Sequence, residues 1–272
     1  MTFIARLLGG LLAVALTVTA VSWVGQATVW NADYVKQTFR DQRFYDRSAI
    51  VLPSILVGSA ATGDQAYLIK QLVSPGLVQQ YVEQAITKLE SYYRDGGAAP
   101  TLDLTPIRNQ FASLGLTPPP LLARITDKPQ HLSNPALDTV AGSAAHQSAL
   151  LKWLGPVAAL VLAGLIILIA RRRRWSVLMG AGFTAAVMTA LAAGLVLLLP
   201  QLATGGLTTS VWGNLVEPVR AVADAVAKDA SHQLLWWAVG FAAGGVLMGL
   251  IGLVFAARTK FSRTPKEPPI AA

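Results

Sequence analysis

The chain has 272 residues, 53% apolar and only 13% charged, with 22 Lys and Arg against 14 Asp and Glu for a net charge of +8. An average soluble chain carries roughly 25% charged residues, so this composition, with its mean hydropathy of +0.49, excludes an ordinary soluble globule and also excludes disorder. Cysteine is absent, which excludes a disulfide framework, a thiolate metal site, an iron–sulfur cluster and a thiol nucleophile.

A helix needs about 20 apolar residues to cross the hydrocarbon core of a bilayer. The first such stretch, Leu7 to Trp30, holds no charge. It is longer than the roughly 7–15-residue core of a signal peptide, and its best cleavage signal, Val18 to Ala20, is poor. Residues 1–30 are therefore expected to stay as a signal anchor.

Residues 31–149 follow, enough for a small domain. Asn31 can cap a helix running through Val35 and Phe39 toward Phe44 and Tyr45. Ile50 to Leu56 is apolar but interrupted by Pro53. The best-marked element is Ser74 to Arg94. Ser74 can cap it and Pro75 suits its first turn. Leu77, Val78, Tyr81, Val82, Ala85, Ile86, Leu89, Tyr92 and Tyr93 make an apolar stripe at helical spacing. Glu90 and Arg94 are spaced for an ion pair, and Gly96 with Gly97 ends the helix. Thr105 and Pro106 read as a further cap before Ile107 and Phe111, closed by Gly115. Pro118, Pro119 and Pro120 form a rigid break, and Asn134 with Pro135 starts a segment leading toward the second span. No clear strand alternation and no internal repeat is present.

The second span is Trp153 to Ala170, extended by Leu150 and Leu151 across Lys152 (150–170). Arg171, Arg172, Arg173 and Arg174 fill the connection to the third span, Trp175 to Leu199, which stops at Pro200. Residues 200–233 form a second loop, in which Leu215, Val219, Val222 and Val226 predict a short amphipathic helix. The fourth span is Leu234 to Ala257, and a basic tail closes the chain (258–272). Trp30, Trp153, Trp175, Trp236 and Trp237 sit near span ends, the headgroup level that amphipathic rings prefer. The predicted fold is all-α: a four-helix transmembrane protein with a mostly helical extracytoplasmic domain between spans one and two.

Charge sets the orientation. Arg6, Arg171 to Arg174, Arg258, Lys260, Arg263 and Lys266 flank one side against the single acid Glu267, which makes +8. The first loop carries ten bases and ten acids, Lys152 adds one base, and the second loop sets Arg220 and Lys228 against Glu217, Asp224 and Asp229, so the other side sums to zero. By the Lys/Arg bias of short flanking segments, both termini are expected in the cytoplasm of a bacterial cell, with 31–149 and 200–233 outside. The four-arginine run is a topology determinant and a potential anionic-lipid contact. The excess of bases is split among membrane-proximal ends and needs no nucleic acid to explain it.

The chemistry-bearing patterns are missing. His131, His146 and His232 lack metal-ligand spacing, and no phosphate loop or serine elbow is present, so neither a cofactor, a metal nor an enzyme activity is expected. No span holds an ionisable residue in its interior, where coupled carriers keep theirs. What the spans hold is small residues. Gly182, Ala186, Ala190 and Gly194 recur every fourth position in span three. Gly240 with Gly244 and Gly245 with Gly249 do so in span four, and Ala159 with Ala163 in span two. Such ladders let backbones approach in lipid. Spans two, three and four are expected to pack on one another, or one ladder, that of span four first, to meet a partner or a second copy.

This layout resembles bacterial four-span integral membrane proteins with a helical extracytoplasmic domain. It is also similar in topology to the FtsX-like permease subunit of cell-division ABC systems, although Arg171 to Arg174 is too short for a coupling helix, and to claudin-like junction proteins, whose paired outer cysteines it lacks. The resemblance carries no site residues. The expected function is a non-enzymatic membrane protein with an extracytoplasmic interaction or scaffolding domain. Its partners would be membrane lipids and a protein or second copy, met through the spans or the outer domain. The alternative is a transport-linked subunit transmitting conformational change to an ATPase in trans, through the tail from Arg258 to Ala272.

Overall fold

The computed structural model describes residues 2–57, 63–96, 100–113, 130–131, 135–170, 173–205 and 215–261. Among these the helices are α1 (Thr2–Ala27), α2 (Ala32–Asp41), α3 (Phe44–Val57), α4 (Gly63–Leu72), α5 (Pro75–Asp95), α6 (Thr105–Ser113), α7 (Pro135–Ile169), α8 (Arg174–Gly205) and α9 (Val216–Phe261). One two-residue antiparallel pair joins them, β1 (Thr101–Leu102) to β2 (Gln130–His131), with Thr101 opposite His131. That pair is absent from the sequence expectation because two residues carry no alternation to read.

Four helices are long and apolar enough to cross a membrane: Phe3–Ala27, Ala141–Ile169, Arg174–Gln201 and Val216–Ala256. The chain is a membrane-spanning protein on that ground. Two of the spans run past their expected ends. Pro200 does not stop the third; α8 continues through it to Gly205. The short amphipathic helix expected in the second loop is the first part of α9, whose 46 residues make one helix about 69 Å long at 1.5 Å per residue. No helix-breaking residue follows Pro218, so no local signal ends the helix before the apolar stretch begins. Likewise α7 starts at Pro135 and runs without interruption into the second span.

The chain divides into two compact units. The first is Met1–Val21, Leu151–Ala193 and Gln233–Ala272. Its core joins Leu12 of α1, Ala159 and Ile166 of α7, and Leu178 and Ala181 of α8. Its outward positions are the large apolar ones: Leu160 is 74% exposed, Leu168 73% and Leu253 68%. Large apolar residues on the outside invert the pattern of a water-soluble bundle, as expected of helices that meet lipid.

The second unit is Ser22–Leu150 with Gly194–His232. Its core gathers Phe44, Tyr45 and Ala49 of α3, Ile69 of α4, Val73, Val78 of α5, Phe111 of α6 and Val222 of α9. Val219 and Val226, partly buried, pack against the same core, so the apolar stripe from Val219 to Val226 lies against the helices of the first loop. The expected helix from Asn31 to Tyr45 is broken at Gln42 and Arg43. Arg43 takes φ +51°, a left-handed conformation that reverses the chain between α2 and α3. This break lets Phe39, Phe44 and Tyr45 meet as one aromatic cluster, with Phe39 and Phe44 centroids 4.6 Å apart. Pro53 does not interrupt α3, which spans it.

Helix α5 forms as its sequence signals require. Ser74 Oγ accepts from the Leu77 amide at 3.2 Å, Arg94 and Glu90 pair at 3.4 Å, and Gly96 ends the helix at φ +76°. In α6 the capping acceptor is not Thr105 but Asp103, whose carboxylate takes the Thr105 amide at 2.9 Å. Gly115, Pro118 to Pro120 and Asn134 lie outside the described residues.

Candidate functional site

In the first unit the small residues sort into two groups. Gly182 of α8 and Gly245 of α9 face each other: a Cβ on Gly182 would lie 2.9 Å from Gly245 Cα and 2.9 Å from the Phe241 carbonyl oxygen. A Cβ on Gly245 would lie 3.1 Å from the Met179 carbonyl oxygen, and one on Gly249 2.8 Å from Met179 Sδ. Gly252, not singled out from the sequence, continues this face; its Cβ would meet Trp175 Cβ at 2.6 Å. Ala186 is buried on the α8 side and Ala190 half-buried. Glycine is required at Gly182 and Gly245, whose contacts are to backbone that cannot yield, whereas at Gly249 the flexible Met179 side chain can move aside.

The second group points elsewhere. Among the described residues, a Cβ on Gly194, Gly240 or Gly244 meets no atom within 4 Å, and all three are exposed. Residues 244 and 245 are neighbours about 100° apart around a helix of 3.6 residues per turn, so the two Gly-x3-Gly patterns of α9 occupy different faces. Of the two patterns, only the pair Gly245 and Gly249 packs against another helix among the described residues.

Span one is a full member of this core, beyond the expected packing of spans two to four. Ala5, Gly9, Ala13 and Thr17 are all buried along one face of α1. A Cβ on Gly9 would stand 3.0 Å from Val177 Cγ1, and Gly155 of α7 leaves room only for Thr19. Thr17 Oγ1 donates to the Ala13 carbonyl at 2.9 Å, and Thr189 Oγ1 lies 3.5 Å from it across the helix pair. The signal was in the sequence: Ala5, Gly9, Ala13 and Thr17 form the same every-fourth ladder as span three.

Arg173 and Arg174 lie at the start of α8; Arg171 and Arg172 lie outside the described residues. A tight turn delivers them, with the Arg173 amide 2.6 Å from the Ala170 carbonyl. Arg173 is exposed. The Arg174 guanidinium sits 5.2 Å from the Trp175 ring centre, and its Nε is buried without a hydrogen-bond partner. The ring face supplies part of what that cation loses on leaving water. Trp175 in turn stacks on Phe255, centroids 5.8 Å apart and 10° from parallel.

The second unit holds a polar clamp that sequence reading passed over. Glu83 Oε1 accepts from Arg40 Nη2 at 2.7 Å, Arg40 Nε at 3.0 Å, Gln79 Nε2 at 2.9 Å and the Tyr45 hydroxyl at 3.4 Å. Helices α2, α3 and α5 thus meet on one oxygen. Burial pushes the Glu83 carboxyl up, but the hydrogen bonds from Arg40 and Gln79 outweigh it and hold the group below its ordinary value. Burial, then the Glu83 charge, pushes the Tyr45 phenol up to about 12. Elsewhere the Tyr34 hydroxyl donates to Asp229 of α9 at 2.8 Å; burial and then that bond raise Tyr34 to about 12. Tyr93 donates to Asp138 of α7 at 3.1 Å, and Gln26 reaches Ser148 Oγ at 2.8 Å. These are structural joints: Glu83, Asp229 and Asp138 each accept from a donor on another helix.

Among the described residues no cluster of three His, Asp or Glu could hold a metal ion. His146 and His232 are exposed and His131 lies in β2. Comparison with protein-family models, with curated proteins and with solved structures finds no match to this chain.

Proposed function

We propose that the chain is a non-enzymatic, multi-pass protein of a bacterial plasma membrane, with both termini in the cytoplasm and a folded interaction domain outside it. One observation carries the reading most. Residues from the first loop and from the second loop build one core, in which Val222 packs with Phe44, Val78 and Phe111. Two loops separated by two spans belong to one unit only if both lie on the same side of the membrane. The charge distribution then selects the side: +8 on the segments carrying Arg6, the four-arginine turn and the tail, and zero on the two loops together with Lys152. The first helix supports retention as an anchor rather than cleavage, since 44% of its most apolar stretch is buried, against 22% or less in the other spans.

A cysteine-free chain makes the test direct. In intact cells, Gln84→Cys on the exposed side of α5 should react with a membrane-impermeant maleimide, and Ser262→Cys in the tail should react only after permeabilisation. The reverse pattern would overturn the orientation. The interaction role is tested by cross-linking through Gln84→Cys and identifying the products by mass spectrometry. Products joined through the outer unit are expected. An ATPase captured through the tail would replace this reading with the transmission alternative.

A further inference from the structure

Helices α3, α4, α5 and α6 close imperfectly on one another and leave a cavity of about 170 Å³. Its floor is Val73, Val78 and Phe111, all buried, the last only 2% exposed. Leu56 and Ile107 wall it, and the exposed Gln110 stands at its rim. Apart from Gln110 and the Tyr81 hydroxyl, the lining side chains are wholly apolar. A buried water needs two to four polar partners, and this floor offers none, so the space does not belong to water. An apolar cavity of roughly 150 Å³ takes up a benzene ring, so this one has room for about six carbons of hydrocarbon. It is open on one side, so a longer chain can enter by its end and leave a polar head outside.

We propose that this cavity binds the terminal segment of a lipid acyl chain. The lining chemistry rejects any ligand that brings a polar atom to the floor, and the volume rejects a sterol or a folded peptide. The open side rejects the requirement that the ligand be wholly enclosed. Four apolar spans tie this protein to a bilayer, the cell's main store of acyl chains. The Arg40–Glu83 clamp joins α2 to α5, the helix that carries the floor residue Val78. The proposal rests on the membrane reading of the spans, and its test reports on that reading separately.

The full chain is placed in nanodiscs of phosphatidylethanolamine and phosphatidylglycerol containing a trace of palmitic acid with a diazirine at its terminal carbon. After irradiation the adducts are mapped by peptide mass spectrometry. Labelling is expected on the spans and also on residues 72–111. Excess unlabelled palmitic acid should reduce the cavity adducts at least tenfold more than the span adducts, because a site saturates and bulk lipid does not. Val82→Phe, which fills the cavity from α5, should lower the cavity adducts about tenfold and leave those on the spans unchanged. Labelled spans with no adduct on residues 72–111 would overturn the proposal, whether the cavity is empty or filled by the protein's own side chains. Cavity adducts that do not saturate in the wild-type chain would overturn it too. Unlabelled spans would overturn the membrane reading itself.

Discussion

Replacing Gly182 by alanine adds one methyl group where α8 and α9 touch. That methyl would lie 2.9 Å from Gly245 Cα and 2.9 Å from the Phe241 carbonyl oxygen, both backbone atoms. Ordinary contact between heavy atoms begins at about 3.5 Å, so the helices must part by roughly half an ångström. Overpacking of this kind costs about 1–3 kcal/mol. Gly244→Ala is the matched control, because its Cβ meets nothing within 4 Å among the described residues. Both substitutions remove the same glycine entropy, worth roughly 0.5–1 kcal/mol in a helix, so the difference between them isolates the clash. Gly182→Ala should therefore melt on the order of 5 °C below Gly244→Ala when helix loss is followed by circular dichroism in a mild detergent. Equal midpoints would refute the assignment of Gly182 and Gly245 as the crossing point. A Gly244→Ala variant that alone lost a higher-order species in sizing would instead place the exposed face of α9 against a second copy.

Glu83→Gln removes the charge on which Arg40, Gln79 and Tyr45 converge, and should destabilise the second unit by about 1 kcal/mol, since exposed ion pairs add little and the remaining hydrogen bonds weaken; a thermal or urea melt compares the two chains. The deficit should depend on pH with a fixed sign. Glu83 has a lowered pKa in the folded state, so its contribution is full above the ordinary carboxylate value near 4.3 and is lost as pH falls through the folded value. The gap between wild type and Glu83→Gln should then be present at pH 7 and close in acid, and a gap unchanged at pH 3 would show that Glu83 acts through shape alone. Ser74→Ala removes the acceptor of the Leu77 amide and should cost about 1 kcal/mol, read as faster hydrogen exchange in the first turn of α5.

Some of these features are local, and local features are legible. Ser74, Pro75 and Gly96 mark the ends of α5 because an orphan amide needs a nearby acceptor and a terminating residue needs positive φ, conditions met within a few residues of chain. The four spans are legible because twenty uncharged residues satisfy a bilayer wherever they occur. Other features depend on partners distant in sequence. Nothing near Arg43 announces a chain reversal; it is fixed by the aromatic cluster that the reversal assembles. The polar clamp joins residues 40, 45, 79 and 83, and only the packing of α2, α3 and α5 brings them to one oxygen.

The ladders show most clearly where the boundary falls. Composition and charge by themselves determined that the chain has four stretches long and apolar enough to span a membrane, and that its net charge gathers at one set of their ends. They also determined that small residues recur every fourth position. A helix apolar on every side has no phase, however, so its sequence does not say which stripe faces inward. The tertiary structure chose Gly245 and Gly249 over Gly240 and Gly244, and gave span one a place in the core, because backbone approach depends on the shape the opposing helix presents.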